Sequence, residues 1–203
     1  AYDKLAWSFI RGILRRYNLP DNLIKLIMSC ISIVSTSFLF NGGSLDSFCL
    51  TKGIRQGDPI SPYIFIFCMD FLGQLIQEKC EDKKWCPMKA SRRGPPFSHL
   101  FFVDDLVLFA KVNTDNYIAL KKVLDTFFRL LGQIVSVAKS RVFFSPNIDQ
   151  ENREVLSNIL RIQQTTCLGR YLGFPIKHQG GANQDFNFVL DRLKKKFAGW
   201  KAN

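Results

Sequence analysis

Nine consecutive residues constrain this chain more than any others: Phe101-Phe102-Val103-Asp104-Asp105-Leu106-Val107-Leu108-Phe109. Two apolar runs, each of a length suited to a strand, flank a pair of adjacent carboxylates, and the whole reads as a β-hairpin with acids at its turn. Neighbouring like charges oppose joint ionisation. A hard divalent cation such as Mg²⁺, which binds one or two carboxylates together with phosphate oxygens, offsets that repulsion. An ordinary polar turn is the other reading, because Asp is common in turns. The nine residues alone leave both open.

The setting narrows the choice. The 203 residues are enough for one sizeable core with a small appended lobe. Hydrophobic residues make up 47% and charged residues 22%, which is a globular and not a disordered composition. Nineteen phenylalanines favour strands and thick helix–sheet packing. A formal charge of +11 points to a polyanionic partner, nucleic acid before membrane, against the alternative of a solvated basic surface. The cysteines at 30, 49, 68, 80, 86 and 167 contain no CxxC pair, so structural zinc is not expected. They read as small buried hydrophobes, Cys30 and Cys68 most clearly. No signal-peptide pattern is visible, so a soluble protein of a reducing compartment is expected. The apolar run Tyr63 to Met69 is far shorter than the roughly 20 residues of a membrane helix.

Along the chain, Leu5, Phe9, Ile13 and Leu14 have a helical period that Pro20 ends, and Asp21 is placed to cap a second helix through about Cys30. The stretch from Ile33 to Phe40, then Asn41-Gly42-Gly43 and Leu45 to Leu50, predicts a hairpin. Gly53 to Pro62 reads as a rigid loop, followed by a deeply buried helix from about Ser61 to Gln77. Glu81 to Pro96 is charged and includes the connecting loop Arg92-Arg93-Gly94-Pro95-Pro96. After the acid hairpin, Thr114 or Asp115 caps a helix that Gly132 ends. Strands are expected at Ile134 to Val137 and Arg141 to Ser145, a helix capped by Asp149 to about Leu160, and an extended Arg170 to Ile176. Asp185 starts a last helix whose apolar stripe holds Phe186, Val189, Leu190, Leu193, Phe197 and Trp200. Hairpins and helices in runs argue for an α+β fold.

Five ordered blocks now resemble the reverse transcriptase of a non-LTR, LINE-type retroelement of the kind abundant in plants. They are Ala1-Tyr2-Asp3 with Trp7 and Phe9; Gly53-Ile54-Arg55-Gln56-Gly57-Asp58-Pro59-Ile60-Ser61-Pro62; Ser98-His99-Leu100-Phe101-Phe102-Val103-Asp104-Asp105; Gly132 followed by Lys139-Ser140; and Tyr171-Leu172-Gly173-Phe174-Pro175. The resemblance covers almost the whole chain. It implies a polymerase palm, a ferredoxin-like antiparallel sheet with helices, over residues 1–165 and a primer-grip-like segment with the start of a helical thumb over 166–203. The fingers and the first palm strand are not among these residues. The implied activity is RNA-directed DNA polymerisation with Mg²⁺, or Mn²⁺, on an RNA template and a DNA primer with deoxynucleoside triphosphates. The same resemblance implies no membrane association and a place in the nucleus or cytoplasm.

The resemblance also implies residue roles. Asp104 is the metal ligand of the turn. Asp105 holds the metal with it, lies nearer the primer end or supports the site, since strand neighbours point to opposite faces. Arg55, Gln56 and Gly57 fall where template and incoming nucleotide meet, and Gly57 lets backbone approach the substrate. That loop equally reads as a Gly/Pro turn before a buried helix, with Asp58-Pro59 and Ser61-Pro62 its structural part. Tyr2 matches the aromatic under the nucleotide sugar; core packing beside Trp7 is its plain alternative. Lys139 matches a lysine near the phosphates, a proton donor to pyrophosphate, where a lone lysine is otherwise a solvated charge. Tyr171, Leu172 and Gly173 match the segment that grips the primer. Lys194, Lys195 and Lys196, with Arg192 and Lys201, form a basic face suited to a phosphate backbone.

Departures from the pattern carry expectations of their own. The family's first block runs Asp-x-x-x-Ala-Tyr-Asp, so its first metal-binding Asp falls four residues before Ala1, and Asp3 is no substitute for it. The 203 residues by themselves are therefore expected to be inactive, with a remnant that only binds nucleic acid as the alternative reading. Val103 stands where Ala is usual, Ser136 where Asn is, and Gln133 where Leu is.

Overall fold

A computed structural model describes residues 2–33, 35–103, 105–132, 136–176 and 187–200. A 3₁₀ turn at Tyr2–Lys4 leads into α1 (Trp7–Arg16) and α2 (Asp21–Ser32). Short strands β1 (Ser35–Thr36), β2 (Leu39–Phe40), β3 (Gly43–Ser44) and β4 (Phe48–Cys49) precede the long helix α3 (Ser61–Glu81). Strands β5 (Met88–Lys89), β6 (Pro96–Phe97), β7 (His99–Phe102) and β8 (Asp105–Leu108) follow, then α4 (Thr114–Leu131). The chain continues through β9 (Arg141–Val142), α5 (Gln150–Leu160), β10 (Gln163–Gln164), β11 (Arg170–Tyr171) and β12 (Phe174–Pro175) to α6 (Asn187–Trp200). Residues 1–136 and 137–203 form two compact units.

In the first unit, Phe9, Ile10, Ile13 and Leu14 recur with the period of one helical face, and that face of α1 is buried. Each such side chain contributes about 2 kcal/mol on leaving water. Phe9 meets Phe71 of α3 edge-on at 5.9 Å and Phe127 of α4 at 6.0 Å, so one ring ties three helices together. α3 runs four residues past the expected Gln77 and is not buried all round, since Tyr63 and Ile66 are 67% and 62% exposed. Its inner face carries Ile64, Phe65, Cys68, Phe71, Leu72 and Ile76.

Helix ends follow local chemistry with two corrections. Pro20 is the residue before α2, and Asp21 is its first helical residue and not its cap. Asn113, not Thr114 or Asp115, caps α4 by accepting a hydrogen bond from the Asn116 amide. Gly132 closes that helix in the left-handed conformation, φ 69°. Asp149 caps α5 as expected.

The described strands form six two-stranded ladders. The Asn41-Gly42 turn joins β2 to β3, while β1 pairs with β4 farther down the same arm. β9 and β10 pair in parallel across α5. Ser136 to Ser140 is a turn in place of the strand expected from Ile134, and residues 133–135 lie outside the description. The α6 stripe is largely open to solvent, with Leu190, Leu193 and Phe197 54%, 47% and 60% exposed, while Asp185 and Phe186 lie outside the described residues. Of the cysteines, only Cys68 is fully buried; Cys30, Cys49 and Cys167 are exposed, against expectation. Cys30 ends up there because it sits on the solvent side of α2, opposite Ile24, Met28 and Ile31. Among the described residues, no helix is long and apolar enough to cross a membrane.

Candidate active site

The β7–β8 hairpin places Asp105 at the first position of β8, directly after the turn. The register pairs His99 with Leu108, Leu100 with Val107, Phe101 with Leu106 and Phe102 with Asp105. Directly paired residues share a face, so His99 and Phe101 point one way and Leu100, Phe102 and Asp105 the other. The first face packs on α3. A Cβ on Gly73 would stand 3.8 Å from both the His99 and Phe101 rings, in ordinary van der Waals contact, so the hairpin lies directly over this point of α3. His99 stacks near Phe101 at 4.4 Å, its Nδ1 is 3.0 Å from Ser98 Oγ, and burial lowers its pKa.

The second face is open. Leu100 and Phe102 are 46% and 53% exposed, and the Asp105 carboxylate is exposed with them. Asp105 makes no ion pair with a described residue, so its oxygens are available to a hard cation, which is the requirement for an Mg²⁺ ligand. Asp104 lies outside the described residues. Among the described residues, no group of three or more His, Cys, Asp and Glu side chains is placed to hold a metal. Val103 enters the turn at φ 49°, a left-handed conformation that a β-branched residue adopts only under strain.

A second group of expected residues is assembled by backbone pairing over fifty positions of sequence. The Gly53 amide donates to the Leu5 carbonyl at 2.7 Å and the Ile54 amide to Tyr2 at 3.0 Å. Trp7 Nε1 donates to the Gly53 carbonyl at 2.7 Å. Gly53 has φ 89°, and a Cβ there would be 2.8 Å from the Asp3 carbonyl oxygen, so only glycine fits. Tyr2 is thereby set beside the loop that follows Ile54. Its ring stacks on Phe65 of α3 at 4.9 Å, and not on Trp7.

Past Ile54 the loop turns outward. Arg55, Gln56 and Gly57 are exposed, and nothing stands within 4 Å of a Cβ built on Gly57. Asp58 organises the bend: one carboxylate oxygen takes Arg55 at 3.1 Å and the other takes the Ile60 amide at 3.1 Å, just before α3 begins. The Arg55 guanidinium is therefore held in place, while Gln56 and Gly57 are presented to solvent. Sequence reasoning gave Asp58 a structural part but missed this grip on Arg55.

Within the second unit, Lys139 is an exposed residue of the Val137–Ser140 turn. Tyr171 is half-buried in the β11–β12 hairpin, whose two turn residues, Leu172 and Gly173, have φ 53° and 84°. Two positive φ values in succession are the signature of the tight turn that matches strand twist. Arg170 lies over the Phe188 ring at 5.7 Å and Arg192 is 3.9 Å from a Cβ built on Gly173, so this hairpin rests against α6. Lys194, Lys195 and Lys196 are exposed on that helix.

Comparison with known proteins identifies the family. Residues 1–176 match the family model for reverse transcriptase (RNA-dependent DNA polymerase). The Pol polyprotein from the type-2 retrotransposable element R2DM of Drosophila melanogaster is 30% identical over 132 residues, 65% of this chain and 12% of that protein. A Pol polyprotein from the type-1 retrotransposable element R2 of Popillia japonica is 28% identical over 144 residues, 69% of this chain and 19% of that protein. An uncharacterized mitochondrial protein of Arabidopsis thaliana is 37% identical over 68 residues, 34% of this chain and 56% of that protein. The chain thus spans a small part of the two polyproteins and about half of the mitochondrial protein. It belongs to the reverse transcriptase (RNA-dependent DNA polymerase) family, in its non-LTR retroelement branch.

Proposed function

We propose that these residues form the catalytic part of an RNA-directed DNA polymerase of a non-LTR retroelement, with the palm over 1–165 and a primer-gripping segment and the start of a thumb over 166–203. The reaction is attack of a primer 3′-OH on the α-phosphate of a deoxynucleoside triphosphate, templated by RNA, with pyrophosphate leaving in line. Asp104 and Asp105 are the candidate ligands for Mg²⁺ or Mn²⁺. The ion, when bound, neutralises charge on the attacking and leaving oxygens.

The remaining roles belong to the chain's own groups. Gln56 and Gly57 contact the nascent pair, with Arg55 held ready by Asp58, and Tyr2 lies under the sugar. Stacking on Phe65 fixes the tyrosine plane, which supports a steric check on the 2′ position. Lys139 donates a proton to the departing pyrophosphate. Tyr171, Leu172 and Gly173 hold the primer, and Lys194, Lys195 and Lys196 track its backbone. The observation that carries this reading is the pairing of Tyr2–Leu5 with Gly53–Ile54, because it sets an aromatic ring beside an exposed Gln-Gly loop in a member of this family.

Binding of a deoxynucleoside triphosphate to the chain on an RNA–DNA primer–template, measured with and without Mg²⁺, tests the proposal. Mg²⁺ is expected to tighten nucleotide binding, and Asp104→Asn and Asp105→Asn to abolish that gain while leaving primer–template binding intact. Salt-sensitive nucleic-acid binding with no metal-linked nucleotide binding would leave only the remnant reading.

A further inference from the structure

Residues 83–100 contain five cations, Lys83, Lys84, Lys89, Arg92 and Arg93, and no carboxylate, in a chain whose net charge is +11. All five are exposed. Lys84 pairs with Asp82 at 3.8 Å, and the other four make no ion pair with a described residue. A solvated run of this kind would ordinarily be loose. This one is pinned: β5 and β6 pair through Met88–Phe97 and Lys89–Pro96, and the Gly94 amide donates to the Ser91 carbonyl at 3.2 Å. Arg92 and Arg93 are the two central residues of that turn.

The pins reach into the core. Trp85 is completely buried and its Nε1 donates to the Phe109 carbonyl at 2.9 Å. Asn116, 1% exposed, accepts the Cys86 amide at 2.9 Å and donates to the Lys111 carbonyl at 2.8 Å. Phe97 packs edge-on against Phe109 at 4.8 Å. Arg92 and Arg93 are therefore held side by side on an ordered turn with no described carboxylate paired to either. That arrangement is unfavourable alone and favourable against a polyanion. The tip bears no aromatic ring on which a base could stack, while guanidinium forks match phosphate oxygens. The β5–β6 hairpin joins β7 at the end farthest from the acid turn.

We propose that the β5–β6 hairpin, through Lys83, Lys84, Lys89, Arg92 and Arg93, is a binding surface for the phosphodiester backbone of nucleic acid, additional to the residues at the acid turn and on α6. It reads charge and not sequence, and it holds whether or not the acid turn binds metal.

Fluorescence anisotropy with a labelled single-stranded RNA and a labelled RNA–DNA duplex of mixed sequence, across a KCl series without metal or nucleotide, tests it. Losing two phosphate contacts in the Arg92→Ala/Arg93→Ala variant flattens the slope of log affinity against log salt by about 1.4 for a single strand and about 1.8 for a duplex. At 0.1 M salt those slopes amount to about 25-fold and about 60-fold weaker binding, taking 1 M as the reference. The Arg92→Lys/Arg93→Lys variant keeps the charge and is expected to keep the slope. An unchanged slope in the alanine variant overturns the proposal. So does equal loss in the lysine variant. Which of the two probes loses more identifies strand or duplex as the occupant.

Discussion

Gly53 and Gly57 share φ 89° and differ in what surrounds them, so replacing each with alanine isolates the close approach that positions Tyr2. Both variants incur the left-handed penalty of an L side chain, about 1 to 2 kcal/mol. A stiffer unfolded chain offsets about 0.4 to 1 kcal/mol of it. For Gly57→Ala nothing further is lost, and a net cost near 1 kcal/mol is expected. At Gly53 the new methyl would sit 2.8 Å from the Asp3 carbonyl oxygen and 2.9 Å from its carbon, both backbone atoms. One segment must retreat, which strains the three hydrogen bonds of the Gly53 amide, the Gly53 carbonyl and the Ile54 amide. At about 1 kcal/mol each, the total reaches about 3 to 4 kcal/mol. With a urea slope of about 2 to 3 kcal/mol per molar, the two midpoints should differ by about 1 M. Trp7 donates to Gly53 itself, so its fluorescence follows the junction during urea unfolding once Trp85 and Trp200 are replaced by phenylalanine in both variants and their reference. Gly53→Ala should also weaken Mg²⁺-linked nucleotide binding by displacing Tyr2. Midpoints that agree within about 0.3 M would show that the approach at Gly53 does not hold the site together.

Val103→Gly removes a β-branched residue from φ 49° and should raise stability by about 1 kcal/mol, read as a higher urea midpoint. Asn116→Ala removes the partners of the part-buried Cys86 amide and Lys111 carbonyl and should cost about 1 to 3 kcal/mol in the same assay. A thiol reagent at pH 8 should label Cys30, Cys49 and Cys167 within minutes and Cys68 only on unfolding, since burial pushes the Cys68 thiol up to about 12. Tyr17 is also pushed up to about 12, first by burial and then by its hydrogen bond to Asp70. A raised tyrosine pKa favours folding fully below pH 10 and loses that contribution as pH climbs from 10 towards 12, so Tyr17→Phe should flatten stability over that window.

All six helices among the described residues were legible because their signals are local. Apolar spacing marks α1, α3 and α4, Asp149 and Gly132 mark ends, and Asn41-Gly42 marks a turn. Choices among adjacent candidates were not legible. Asn113, Thr114 and Asp115 can all cap a helix, and the selection of Asn113 goes with Asn116, whose side chain is tied to Cys86 thirty positions away. Trp85 was overlooked as an anchor because charged residues surround it in sequence, although it is completely buried. The many phenylalanines favoured strands on paper, yet Phe9, Phe65, Phe71 and Phe127 build a helical core. At the site, the acid turn and the Gln-Gly loop could be read from residue types. That Tyr2 stacks on Phe65 depends on a contact sixty-three positions apart, which no local pattern encodes.

The two faces of the acid hairpin explain why the turn can be strained and still well placed. One face is fixed: His99 and Phe101 meet α3 at Gly73. The other face has Leu100, Phe102 and Asp105 open, so chemistry on that side involves no repacking of the core. A left-handed valine costs about 1 to 2 kcal/mol at the turn between them. Partial burial of Phe101 against α3 offsets part of that cost, by about 1 kcal/mol. Packing thus holds the hairpin from behind and leaves its other face open to solvent. A carboxylate on the packed face would have had to leave water unpaired; Asp105 avoids this because the register puts it beside Phe102 and not beside Phe101. Shifting the register by one residue would bury the acid and expose His99, which is why the spacing between Ser98 and Asp105 matters as much as the acids themselves.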